Sequence, residues 1–422
     1  MTSEIHVILK ELYGLQRLGI KVGLEHTEEL LDKIGNPHLH LKFIHIAGTN
    51  GKGSTCAIIN SILRECGLVV GLYTSPHLVR FNERIQVNGE QISDADIALF
   101  MKNNYNEIKN IETTFFETTT AMAFDYFYRN SVDIAIIETG LGGRLDSTNV
   151  ISPEVCGISS ISLDHIDILG NTIQKIAKEK AGIIKENTPV VTIEQSKTIM
   201  DIINKRAEQK NASLKTIKRN DIQLFSIDNQ GASFKYKKYE INLPLIGEHQ
   251  ILNCVLGISI VESIINKIDS FKINEAIINI SWRGRMEKVS EKDIYYDVAH
   301  NYDGIKAMIN TAKRNHPNKK LFGLFCVKGD KNIDSICNII KETFQKIIIC
   351  QDKEKYLLNV KKLSKIMDDK KISFLPVNSL KEGIKTIRDI NQEEYVWLIF
   401  GSHYIAKEVY SEFGKHFDTT HN

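Results

Sequence analysis

Cysteine is sparse and unpatterned in this chain of 422 residues: seven cysteines, at 56, 66, 156, 254, 326, 337 and 350, include no C-x-x-C pair. That spacing argues against both a disulfide framework and a zinc cage, and the thiols read as reduced core groups. Only 7 prolines and 26 glycines accompany 42% apolar and 25% charged residues, a balance that excludes large-scale disorder. Excess charge of one sign is missing too. With 54 basic and 52 acidic residues the net charge is +2, so no field gathers a polyanion and neither nucleic acid nor an anionic membrane is expected as a partner. Apolar runs such as Leu321 to Val327 fall far short of the ~18–20 residues that cross a bilayer. Met1 to Ile20 lacks the apolar core of a signal peptide. A cytoplasmic protein of two or three domains is expected.

From about residue 43 onward, short β-branched runs alternate with helix-length amphipathic segments, the pattern of parallel sheets covered by helices, so the fold class is α/β. Strands are expected at Phe43–Ala47, Val69–Tyr73, Val132–Ile137, Val155–Ile161 and Pro189–Ile193. A second group follows at Ile294–Tyr296, Leu321–Val327, Ile347–Cys350 and Val396–Phe400. Between the groups, Gln223 to Leu245 alternates polar and apolar residues around Asp228-Asn229-Gln230-Gly231 and predicts an antiparallel hairpin flanking the first sheet. Ser281-Trp282-Arg283-Gly284-Arg285 marks a hinge, giving domains of 1–286 and 287–422. Ser93-Asp94-Ala95-Asp96 fits a helix cap, and Thr27-Glu28-Glu29 a first helical turn.

The first strand runs into Gly48-Thr49-Asn50-Gly51-Lys52-Gly53-Ser54 and then a helix, which places backbone N–H groups and a lysine where phosphates bind. The strict P-loop spacing fails, because Ile46 stands at the first glycine position and Gly53 separates Lys52 from Ser54. Ligands of an open parallel sheet lie beyond the carboxyl ends of its strands. Ser75 follows the second strand, Glu138 ends the third and His165 follows the fourth, a donor set suited to a divalent cation such as Mg²⁺. Singly, each is as well explained as a cap, an ion-pair partner or a core histidine. Lys180 shares one helix stripe with Ile173, Ile176 and Ala177. A buried amine there is a nucleophile that carbon dioxide can convert to a carbamate, and a snorkelling lysine is the plainer alternative. In the second group, Asp297 and His300 end one strand, Ser402 follows the last, and Arg285 stands in the hinge with a fork suited to phosphate.

As a set these residues are diagnostic. His45-Ile46-Ala47-Gly48-Thr49-Asn50-Gly51-Lys52-Gly53-Ser54, Tyr73-Thr74-Ser75-Pro76-His77-Leu78 and Glu138-Thr139-Gly140-Leu141-Gly142-Gly143-Arg144 carry one part of it. Leu163-Asp164-His165, Glu179-Lys180-Ala181-Gly182 and Asp297-Val298-Ala299-His300-Asn301 complete it. The set closely resembles the folylpolyglutamate synthase/dihydrofolate synthase branch of the Mur ligase family.

The resemblance implies an N-terminal P-loop-type ATPase domain with a mostly parallel sheet and a smaller C-terminal Rossmann-like domain. It assigns ATP to Gly51, Lys52, Gly53, Ser54, Asn253, Arg285 and Asp297, and Mg²⁺ to Ser75, Glu138 and His165. It makes Lys180 a carbamylated lysine, and it associates His300 and Ser402 with incoming glutamate. The pterin-bearing substrate is expected near Phe116, Glu117, Thr118 and Thr119 and near Leu145, Asp146 and Ser147. The implied reaction is ATP-dependent addition of L-glutamate to dihydropteroate, to tetrahydrofolate, or to both, through an acyl phosphate, with His300 a candidate acceptor for the glutamate proton. Potassium is a further candidate cofactor, and a monomer acting on small molecules is expected. The rival reading is a Mur-type ligase of another carboxylate, such as a peptidoglycan precursor.

Overall fold

The computed structural model describes residues 2–415 apart from 20, 22, 353 and 355. The chain forms two compact units. The first holds residues up to Ile161, Thr172–Asp221 and Leu252–Ile277; the second holds Ser162–Asn171, Ile222–Ile251 and the chain from Ile278 onward.

The first unit is built on eight strands: β1 (Phe43–Ala47), β2 (Val70–Tyr73), β3 (Ile85–Val87), β4 (Glu90–Gln91), β5 (Ile134–Glu138), β6 (Val155–Ile158), β7 (Val190–Ile193) and β8 (Leu214–Ile217). Their spatial order is β4-β3-β2-β5-β1-β6-β7-β8. β2, β5, β1, β6, β7 and β8 run parallel, while β3 and β4 pair antiparallel at one edge. Every residue of β1 and β5 is buried, as central parallel strands covered on both faces require, which is why their sequences read as unbroken apolar runs. His45 breaks the run. Its Nε2 lies 2.9 Å from Thr148 Oγ1, and burial, then the charge of Lys185, pushes its pKa down to about 3. One face of the sheet packs on a core that includes Phe43, Phe81, Phe100, Met122, Phe124 and Phe127.

The second unit contains an antiparallel meander of β9 (Ile222–Asp228), β10 (Gly231–Tyr236) and β11 (Tyr239–Leu243), and a six-stranded sheet. The latter comprises β12 (Glu287–Lys288), β13 (Ile294–Asp297), β14 (Lys320–Phe325), β15 (Lys346–Ile349), β16 (Phe374–Pro376) and β17 (Tyr395–Phe400), in the order β12-β13-β17-β14-β15-β16. Only β12 is antiparallel there.

All nine expected strands form. The expected hairpin gains a third strand, because the chain turns again at Lys237-Lys238, where Lys237 takes φ 53° without the Gly or Asn that announces such a turn. Ser93 caps its helix, its Oγ accepting the Asp96 N–H at 3.0 Å. The first helical turn expected at Thr27 instead begins two residues earlier, in the Glu25–Lys33 helix, with Thr27 buried inside it.

Candidate active site

β1 ends at Ala47, and the loop that follows is clamped to the residues after β6. The Thr49 and Asn50 N–H groups donate to Ser160 O at 2.7 and 3.3 Å, and Ser159 Oγ donates to Asn50 O at 2.8 Å. Gly51, at φ 87°, then opens the Lys52–Glu65 helix with no side-chain cap. The first N–H groups of a helix have no acceptor within it, so the uncapped start offers a ring of donors and the positive end of the helix dipole. Lys52 Nζ stands 3.7 Å from Glu138 Oε1 and 3.4 Å from Thr49 O. The hydroxyls of Ser54 and Thr55, at 1% and 0% exposure, have no hydrogen-bond partner among the described residues. Two orphaned buried hydroxyls at a lysine-bearing helix start fit a phosphate chain, since unpaired polar groups are otherwise costly.

At the neighbouring strand ends, Glu138 Oε2 accepts the Ser75 N–H at 3.1 Å. A buried carboxylate beside a serine suits Mg²⁺, which keeps several waters and takes few protein ligands. Among the described residues no cluster of three or more His, Cys, Asp or Glu is built to hold a metal; this pairing includes a serine and one acid. Lys180 is 4% exposed, and its Nζ donates to Gly48 O at 2.6 Å. The expected stripe forms, with Ile176 and Ala177 buried alongside it. Asn253, on the Glu248–Val261 helix, faces the loop: a Cβ on Gly51 would lie 3.0 Å from Asn253 Cγ and closer still to its Oδ1.

The segments expected to meet the pterin-bearing substrate are largely committed to internal bonds. Glu117 Oε2 accepts the Thr114 N–H at 2.6 Å, Thr118 Oγ1 is 2.8 Å from Thr113 Oγ1, and Thr119 Oγ1 is 2.8 Å from Tyr73 Oη. Asp146 accepts the Leu141 N–H at 2.6 Å, the Thr148 N–H at 3.1 Å and the Thr148 hydroxyl at 2.5 Å. Burial raises its pKa against the lowering effect of those donors. Ser147 is buried as well. Phe116 and Leu145 are the half-buried members of the set; the Phe116 ring stacks on Tyr73 at 5.9 Å and covers Gly140. These polar residues therefore brace the loops that carry them.

In the second unit, Asp297 ends β13 fully buried, its carboxylate accepting the Met286 N–H at 2.9 Å and the Ala299 N–H at 2.8 Å. Burial raises its pKa, offset by the Arg285 charge. Arg285 Nη1 donates to Gly284 O at 3.3 Å. Ser402 follows β17; its Oγ accepts the Tyr404 N–H at 3.1 Å and its carbonyl the Tyr296 hydroxyl at 3.0 Å. His165 and His300 meet here around Asp164. His300 Nδ1–H donates to Val298 O at 2.9 Å, and Nε2 lies 3.4 Å from Asp164 Oδ2. Both ring nitrogens thus face oxygen atoms. The His165 pKa is pushed down to about 4 by burial and then by Lys331. Burial would raise the Asp164 carboxyl, but His300 and Lys331 hold it well below the usual carboxylate range. Sequence reasoning missed Lys331. It lies in the loop after β14, so the strand-end rule that found Ser75 and Ser402 would have found it.

The Mur ligase middle domain matches residues 46–261, and the Mur ligase glutamate ligase domain matches residues 284–403. The chain belongs to the Mur ligase family. Within it, the chain is 38% identical to the dihydrofolate synthase/folylpolyglutamate synthase of Bacillus subtilis over 339 residues, which cover 76% of this chain and 79% of that one. Its fold matches that of Mycobacterium tuberculosis folylpolyglutamate synthase, solved with ADP and AMPPCP, at a TM-score of 0.89 and 28% identity over 98% of this chain and 99% of that one. It also matches the bifunctional folylpolyglutamate synthase/dihydrofolate synthase of Yersinia pestis, complexed with AMPPNP and a manganese ion, at a TM-score of 0.85 and 25% identity over 97% and 98% of the two chains. The second match begins at residue 284, within the segment Ser281–Arg285.

Proposed function

We propose that this Mur ligase joins L-glutamate to dihydropteroate, to tetrahydrofolate, or to both, with ATP converted to ADP and phosphate. The observation that carries the reading is the uncapped helix start at Gly51, with Lys52 aimed at Glu138 and orphaned Ser54 and Thr55 hydroxyls beside it. Nucleotide complexes of relatives with this fold support it.

The substrate carboxylate attacks the γ-phosphate and ADP leaves, giving an acyl phosphate. Glutamate's ammonium loses a proton, for which His300 is the candidate acceptor, the amine attacks the acyl carbon and phosphate departs. Lys52 and the helix N–H groups hold the charge that moves during transfer. Ser75, Glu138 and His165 would hold Mg²⁺, which supplies charge neutralisation at the phosphates. Asn253, Arg285 and Asp297 complete the nucleotide contacts, and His300 and Ser402 face glutamate. Phe116 and Leu145 form the apolar wall for the ring system, on loops held by Asp146 and Glu117. Carbamylation of Lys180 belongs to the same proposal, as do a potassium ion, a division of labour at residue 286, and action as a cytoplasmic monomer on small molecules alone. No helix among the described residues is long and apolar enough to cross a membrane.

The test is ADP formation by purified protein with Mg²⁺, ATP and glutamate, given dihydropteroate in one arm and tetrahydrofolate in the other. Turnover in either arm supports the reading and the ratio assigns the substrate. Absence of glutamate-dependent ADP in both rejects it. Intact-mass analysis in bicarbonate reports the Lys180 adduct.

A further inference from the structure

The carboxylate of Asp164 is the hub of a buried polar network that no step above uses. Oδ1 accepts the N–H of His165 at 2.8 Å and the Lys331 ammonium at 2.7 Å. Oδ2 accepts from Asn301 Nδ2 at 3.1 Å and lies 3.4 Å from His300 Nε2. The Asp164 and Lys331 side chains are 8% and 7% exposed. The donors come from the loops after β13 and β14 and from the hub's own neighbour. His165 needs such support. Its backbone takes the left-handed conformation, φ 49° and ψ 43°, at the start of a helix of only four residues, a geometry that is unfavourable for a residue with a Cβ and persists only where the surroundings over-determine it. Lys331 also stands 3.4 Å from His165 Nε2, so the ammonium touches both the hub and the ring.

We propose that Asp164 and Lys331 are positioning residues for His165, fixing its backbone turn and its imidazole so that the ring is pre-set as a metal ligand. The inference rests on the assignment of His165 to the metal site. A ligand held by an outer shell binds without first ordering itself, and loss of such support weakens metal affinity by about 10–100-fold. Lys331 matters to the pair because removing it leaves the Asp164 charge buried with weaker compensation. The turn at His165 is then held by an acceptor that keeps Asn301 and His300 but has lost its ammonium.

The readout is Mn²⁺ affinity by electron paramagnetic resonance in the presence of ADP, set beside ADP affinity without metal and the melting temperature. Asp164→Asn and Lys331→Met are each expected to weaken Mn²⁺ binding about 10–100-fold while metal-free ADP affinity stays at the wild-type value. Lys331→Arg is expected to recover most of the loss, because its fork still reaches Asp164. Wild-type Mn²⁺ affinity in both loss variants overturns the inference, as does a parallel collapse of metal-free ADP binding and melting temperature in Lys331→Met. If Asp164→Asn does not fold, the Lys331 pair decides alone. His165→Asn separates the two levels: wild-type Mn²⁺ affinity in that variant removes the ligand assignment and this inference with it. Loss of Mn²⁺ there, with none in Asp164→Asn or Lys331→Met, removes the inference alone.

Discussion

Substituting Gly51 by alanine tests the phosphate loop at its tightest point. The residue sits at φ 87°, and an added Cβ would press on the Asn253 amide, with Cγ at 3.0 Å. The left-handed backbone costs a residue with a Cβ roughly 1–2 kcal/mol, and displacing a buried amide from its contacts costs about 1 kcal/mol more. The chain has two ways to absorb the combined ~2–3 kcal/mol. It can keep the loop and lose that much stability, read as a shift in the urea midpoint at unchanged slope. Alternatively it can relax the loop and lose the same energy when ADP forces it back, a ~30–150-fold rise in ADP Kd. The two losses should sum to about the same total. In an Asn253→Ala background only the backbone part remains, so a double-mutant cycle should give a coupling of about 1 kcal/mol. Stability and ADP affinity both within ~0.5 kcal/mol of wild type would refute the assignment of Gly51 and Asn253 to one tight cradle.

Lys180→Met keeps the apolar stripe of its helix but loses the bond to Gly48 O, so its melting temperature should fall modestly while glutamate-dependent ADP formation is lost; retained turnover would remove Lys180 from the chemistry. Acid should destabilise the protein through two buried imidazoles, His45 and His77, both held down to about 3 by burial first and then by the cations Lys185 and Arg84. Below pH 6.5 the unfolded chain takes up protons that the folded chain refuses, so stability falls with pH from about 6.5 down to about 3. At pH 5 each imidazole accounts for about 2 kcal/mol. Urea midpoints from pH 7 to 5 check the slope, and a His45→Gln variant should flatten it by about half.

The central strands were legible because burial on both faces writes an unbroken apolar run, as in Phe43-Ile44-His45-Ile46-Ala47. Short edge elements were not. β3 and β4 flank Asn88-Gly89, both at positive φ, a strong hairpin signal, yet strands of three and two residues are too brief to show a period. Site residues at strand ends were legible where topology alone delivers them: Ser75 and Glu138 meet at adjacent ends of β2 and β5. Roles that depend on what a side chain does with its second bond were hidden. Asp146 and Glu117 looked like substrate contacts, and the structure commits them to loop N–H groups. Lys331 carries no motif around it; its place after β14 makes it a strand-end candidate, and its approach to Asp164 across 167 residues of sequence reveals its role.

The Lys180 amine raises a question of compatibility that the geometry answers. As a cation it donates to Gly48 O at 2.6 Å, a bond that ties the phosphate loop to the Ile173–Ala181 helix. Carbamylation joins the amine nitrogen to carbon dioxide and, starting from the ammonium, releases two protons, turning a buried cation into an anion. The carbamate nitrogen keeps one N–H, so the donor to Gly48 O survives the change and the loop need not move. The new negative charge sits beyond that nitrogen, one carbon farther along the side chain. Burial opposes the charged form of either state, so the carbamate needs a cation close to its oxygens. Mg²⁺ bound with the nucleotide would meet that need, and modification and metal binding should then favour each other. Raising bicarbonate should lower the Mg²⁺ concentration required for turnover, and the Lys180→Met chain should show no such response.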